Sequence, residues 1–180
     1  MSNKKICVFI GSRANYSSIK SVMTAIKQHP NLNLQLVLGA SSLLGRFGKV
    51  EDLIRKDGFP PDYIFHNLVE GESPTTMAKS TGLGLMDASM IFDNLNPDML
   101  IVVGDRYEMM SVTLAAAYMN IIIVHTMGGE VTGTIDESIR HAITKFAHIH
   151  FPANQDSKER IIRLGENPEF VFNVGCPRID

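Results

Sequence analysis

The feature that most constrains this chain is the make-up of its strand-forming runs. Leu100-Ile-Val-Val103 and Ile121-Ile-Ile-Val124 are apolar at every position, without the polar alternation of a strand that has one wet face. Strands of this kind must be covered on both faces. Short apolar runs fall at residues 6–10, 34–38, 63–66, 99–103, 121–125, 148–151 and 171–174. Between them lie longer segments with apolar residues at helical spacing, at 16–28, 49–56, 75–94, 108–118, 135–147 and 155–164. Strand alternating with helix is the pattern of a parallel sheet with crossover helices. The expected fold is α/β, a doubly wound, Rossmann-like parallel sheet without internal repeats.

The chain has 180 residues, 44% of them hydrophobic, which suits one domain with a proper core. A net charge of −2 speaks against nucleic acid or an anionic membrane as the main partner. The first apolar run is too short for a signal peptide or a membrane span. Cys7 and Cys176 lack the spacing of metal or redox pairs. Both are read as reduced, and the compartment as cytoplasmic. The turn-forming residues 175–180 are where a linker to a further domain would begin.

In doubly wound sheets ligands bind beyond the carboxyl ends of the strands, and three strand-end turns carry chemistry. In the first, Gly11-Ser-Arg-Ala-Asn-Tyr-Ser17, Arg13 and Ser17 suit an anion held by a guanidinium and by helix-start amides. It is neither a dinucleotide fingerprint nor a phosphate loop ending in Gly-Lys-Ser/Thr. In the second, Gly104-Asp-Arg-Tyr-Glu108, Asp105 is read either as a helix cap or as a site acid. The third runs from His125 to Arg140. There Thr134-Ile-Asp-Glu137 fits a capping box, with Glu137 reaching back to the cap amide. Asp136 and Arg140 stand i,i+4, either as a solvated ion pair of about 0.3–0.5 kcal/mol or as members of a site. His141 is read as a site or a surface residue. His125, His148 and His150 are read as polar strand ends rather than a metal set, since no acid or cysteine completes ligand spacing. Met86 and Met90 are read as core or interface filler.

Three stretches carry a resemblance: Gly11–Ser17 (GSRANYS), Val102–Glu108 (VVGDRYE), and Gly128–Lys145 (GGEVTGTIDESIRHAITK) followed by Ala147–Phe151 (AHIHF). With these the chain resembles the hydrolysing UDP-N-acetylglucosamine 2-epimerases of sialic-acid biosynthesis. The likeness covers residues 1–180 but only the amino-terminal half of such enzymes, which are similar to two-domain glycosyltransferase-B proteins. The second, nucleotide-binding domain is not in this sequence.

The resemblance implies a reaction without cofactor or metal: anti elimination of UDP to a 2-acetamidoglucal, then hydration to N-acetylmannosamine. It places Asp105, Asp136 and Arg140 at catalytic positions, and Arg13, Ser17 and Arg106 on the nucleotide side, with Glu137 and His141 among the substrate-binding residues. Met127 stands where many family members carry a glutamate, with Glu130 as the acid that would compensate or a related diacetamido-trideoxy nucleotide sugar as substrate. A non-catalytic nucleotide-sugar-binding module is the other reading. A homodimer or homotetramer is implied, with the 75–94 helix supplying contacts.

Overall fold

Successive residues of β1 (Lys4–Ile10) point to opposite sides of the sheet, and both sides are apolar. Ile6, Val8 and Ile10 enter one core with Tyr16, Ile19 and Met23 of α1 (Arg13–Gln28) and Val50 and Ile54 of α2 (Val50–Lys56). Cys7 and Phe9 enter the other, with α3 (Pro74–Leu95), α4 (Tyr107–Tyr118) and α5 (Ile135–Phe146). β4 (Met99–Val103) divides likewise, Leu100 and Val102 to one side, Ile101 and Val103 to the other. This double covering is why the strands lack polar alternation.

The computed structural model describes residues 3–71 and 73–179. Its sheet has six parallel strands in the order β3-β2-β1-β4-β5-β6, with β2 at Leu32–Leu38, β3 at Tyr63–Ile64, β5 at Ile122–Thr126 and β6 at Ile149–Phe151. Chain order reverses between β1 and β4, so a crevice opens at their carboxyl ends, where ligands of such folds bind. The last helix, α6 (Gln155–Arg163), follows β6.

Three expectations are corrected. Residues 171–174 form no strand. Val171 makes an isolated bridge to His150, and Phe172 N–H donates to the His150 carbonyl at 2.8 Å. A 3-10 turn at Pro168–Phe170 takes the Val171 amide, and Phe172 and Val174 are exposed, so no apolar face holds the segment in a ladder. β3 ends at Ile64 rather than at residue 66, because beyond the Phe65 amide the chain leaves the sheet to build a loop. Ile121 lies outside β5, since its amide closes α4 on the Ala116 carbonyl at 2.9 Å. The 175–180 turn is present at residues 177–179, and its last residue, Asp180, lies outside the described residues. Among the described residues no helix is long and apolar enough to cross a membrane.

Candidate active site

At the end of β1, Ser12 caps α1 by accepting from the Asn15 amide at 3.3 Å. The Asn15 side-chain amide donates to the Val103 carbonyl at 3.2 Å, fixing this helix start against the end of β4. Arg13, the first helical residue, is exposed, and with Ser12, Arg46, Ser73, Arg106 and Tyr107 it lines a cleft of about 620 Å³. Three arginines lining one cavity suit a multiply charged anion. Arg46 also pairs with Glu70 at 2.8 Å. Ser17 is exposed on α1 and does not line the cleft. Its hydroxyl donates back to the Arg13 and Ala14 carbonyls at 3.1 Å.

The β4–α4 turn pivots on Gly104, at φ 79°, and the N-cap of α4 is Arg106 rather than Asp105. Asp105 is thus not the cap of α4. Its carboxylate accepts from Arg140 Nη2 of α5. Arg140 is 2% exposed, and its Nη1 donates to the Glu130 carbonyl at 2.6 Å. One buried guanidinium thus ties the end of β4, helix α5 and the glycine loop together. Removing either member of such a pair would leave an uncompensated charge.

The expected Asp136–Arg140 ion pair is not formed, because Arg140 is turned inward to Asp105. Asp136, half-buried in the first turn of α5, has no hydrogen bond or ion pair from its carboxylate among the described residues. The capping box is not formed either. Thr134 is the N-cap without a side-chain bond, while Glu137 Oε2 accepts from the Thr132 and Gly133 amides, each at 2.7 Å. These loop amides lie nearer its reach than the cap amide, and they hold the Glu137 carboxyl below its ordinary range. Glu137 therefore closes the loop. His141 Nε2 stands 3.8 Å from its other oxygen.

The glycine loop is seated by contact. Gly129, at φ 80°, lies so close to the Ser157 carbonyl of α6 that a Cβ there would collide with backbone. Its own carbonyl accepts from Arg160. His125 is fully buried beneath the loop, with Nε2 at 2.8 Å from the Gly104 carbonyl and Nδ1 at 3.3 Å from the Thr144 hydroxyl. A carbonyl only accepts, so Nε2 carries the proton. Burial lowers the imidazole pKa to about 4 and keeps the ring neutral. His148 accepts from the Ile123 amide at 3.1 Å, and His150 lies 3.5 Å from Glu166, so the three histidines serve different partners. Met127 has φ 61° and packs into the core on the α1 side, its amide bonded to the Phe151 carbonyl.

Glu108 was not among the site residues read from the sequence. It is 0% exposed in the first turn of α4, with Oε1 2.9 Å from Arg106 Nε. Its pKa is raised, mainly by burial, which the Arg106 charge only partly offsets and the nearby Asp136 charge reinforces. Arg46 was missed as well, although it too follows a strand. The strand-end rule applied to β2 would have found it.

The sequence profile of the UDP-N-acetylglucosamine 2-epimerase family matches residues 24–180. The chain is 36% identical over 98% of its length to a UDP-N,N'-diacetylbacillosamine 2-epimerase (hydrolyzing) of Legionella pneumophila, covering 47% of that protein. It is 30% identical to a UDP-N-acetylglucosamine 2-epimerase of Neisseria meningitidis, over 98% of this chain and 46% of that one. It thus spans about half the length of the curated relatives it matches. The crystal structure of a UDP-GlcNAc 2-epimerase from Neisseria meningitidis, bound to UDP-GlcNAc, superposes with TM-score 0.86 at 18% identity, over 97% of this chain and 47% of that one. The chain belongs to the UDP-N-acetylglucosamine 2-epimerase family.

Proposed function

We propose that this chain is the amino-terminal, Rossmann-like half of a two-domain hydrolysing 2-epimerase that converts UDP-N-acetylglucosamine to N-acetylmannosamine and UDP. The observation that carries the reading is the buried Asp105–Arg140 pair, joined through the neighbouring Arg106 to the arginine-lined cleft. The sugar C2 hydrogen is barely acidic until the C1–O bond loosens and positive charge grows beside it. Arg13 and Arg106 stabilise the departing diphosphate, which lets a carboxylate take that hydrogen. The C1–O electron pair leaves with UDP and a 2-acetamidoglucal remains. Water then adds its hydroxyl to C1, and a proton returns to C2 from the opposite face, so one water is consumed. Asp105, paired with Arg140, and Asp136, whose carboxylate has no partner among the described residues, are the acids that this reading assigns to these transfers. Arg140 and the Glu130 segment that it holds fix their geometry.

A second reading has specific support. The Legionella relative, at 36% identity, is named for a diacetamido sugar. Met127 also puts an apolar side chain where many family members carry an acid. The experiment is a panel of UDP- and GDP-linked 2-acetamido sugars, offered in D₂O to protein of the relatives' full length that carries this chain as its first half. The first reading expects free UDP from UDP-N-acetylglucosamine and deuterium at C2 of the product. Nucleotide release confined to diacetamido-trideoxy sugars selects the second, and no release from any sugar removes both.

The protein is a homodimer or homotetramer in this reading, through the outward face of α3, where Met86 and Met90 are 59% and 60% exposed. Light scattering at micromolar concentration checks this, and a monomeric mass would remove it.

A further inference from the structure

We propose that Glu108 is a positioning residue: its buried carboxylate, 2.9 Å from Arg106 Nε, holds the guanidinium by charge at the cleft, where it grips a diphosphate. The inference rests on the function proposed above for the identity of the anion.

A carboxylate in this position needs explaining. Glu108 sits under Gly11, where a Cβ would come 2.7 Å from its Cγ, so the turn after β1 leaves room for this side chain. It is fully buried, yet neither carboxylate oxygen has an aligned hydrogen-bond donor. Its compensation is the charge of Arg106, whose Nε lies 2.9 Å from Oε1. An apolar or amide side chain would fill the same space without the cost of burying charge. What only a carboxylate supplies is a fixed negative point for the arginine. Arg106 itself is 51% exposed in its side chain and lines the cleft beside Arg13. A half-solvated arginine loses rotamer freedom when it binds an anion, and one already held beside a fixed counter-charge loses less.

The test is pyrophosphate affinity, measured by calorimetry on this chain for wild type, Glu108→Gln, Arg106→Ala and the double variant. Glu108→Gln keeps the shape and removes the charge. It is expected to weaken binding about tenfold, the loss typical of a charge-assisted contact, while melting no lower than wild type. In the Arg106→Ala background the same change is expected to weaken binding no further. Wild-type affinity in Glu108→Gln, an equal loss in both backgrounds, or no pyrophosphate binding by wild type would each overturn the assignment. Should Glu108→Gln fail to fold, Glu108→Asp, whose shorter arm withdraws the carboxylate from Nε, runs the same cycle. Turnover of nucleotide sugars by the full-length protein is read separately. Coupling without turnover keeps Glu108 in its role and removes the proposed reaction, and turnover without coupling does the reverse.

Discussion

The two halves of the site are built on opposite principles. Around Arg140 the guanidinium is 2% exposed, and it donates to the Asp105 carboxylate and to the Glu130 carbonyl. Around the cleft the arginines stand in or near solvent, with Arg13 exposed and the Arg106 side chain half-exposed. The first region is organised before any ligand arrives, which suits groups that must meet a reacting atom within a fraction of an ångström. The second keeps positive charge available, which suits a ligand that brings its own negative charge. A reaction that leaves a diphosphate and moves a proton needs both.

Asp105→Asn breaks the organised half most completely. Turnover is expected to fall by about 10²–10⁴-fold if Asp105 moves a proton. Stability is expected to fall by roughly 3–5 kcal/mol, because Arg140 stays buried without its counter-charge. Steady-state kinetics and urea unfolding of the same variant check both parts. If it is inactive yet as stable as the parent, the buried pair is not what holds this region.

Asp136→Asn separates the two effects. Because the Asp136 carboxylate has no partner among the described residues, its neutralisation should cost well under ~1 kcal/mol at the helix start, yet reduce turnover by about 10²–10⁴-fold. Normal melting with UDP release within a fewfold of the parent would return Asp136 to a helix-end role.

His125 gives the organised half a pH signature. Its folded pKa, lowered to about 4, lies below the ordinary value of 6.5, so between these limits the unfolded chain binds more protons than the folded one. Stability is therefore expected to rise with pH through this window, by up to about 3 kcal/mol. Chemical denaturation from pH 4 to 7 on wild type and His125→Gln measures it. An equal slope in the variant would place the effect elsewhere.

Arg13→Ala probes the open half and carries the smallest expected effect. An exposed arginine supports no buried contact, so melting should be unchanged. Loss of one phosphate contact should raise the KM for nucleotide sugar about tenfold. An unaltered KM would move the anion away from the start of α1.

Much of this was legible before any coordinates. The strand-end rule alone led to Arg13, Asp105 and Arg106, because a doubly covered parallel sheet leaves its carboxyl edge as the open place for chemistry. Glu108 escaped that reading although it lies in one of the quoted stretches. In sequence it is an ordinary acid in a first helical turn, and nothing local distinguishes a solvated carboxylate there from a buried one. Ser17 is the reverse case, since a hydroxyl near a helix start looks like a ligand group and here donates to its own backbone.

What the sequence by itself determined is whatever follows from local pattern: the alternation of elements, the burial of both sheet faces, the turns at which function gathers, and the family. Partner choice was decided only by the tertiary structure. Helical spacing offered Arg140 a carboxylate four residues away, and it took one 35 residues away instead. Glu137 likewise passed over the cap for two amides of the preceding loop. The physical reason is common to both. Spacing along a helix sets which groups are within reach, but the packing of helix on sheet sets which of them lose water, and a charge that loses water must be paired where it is buried.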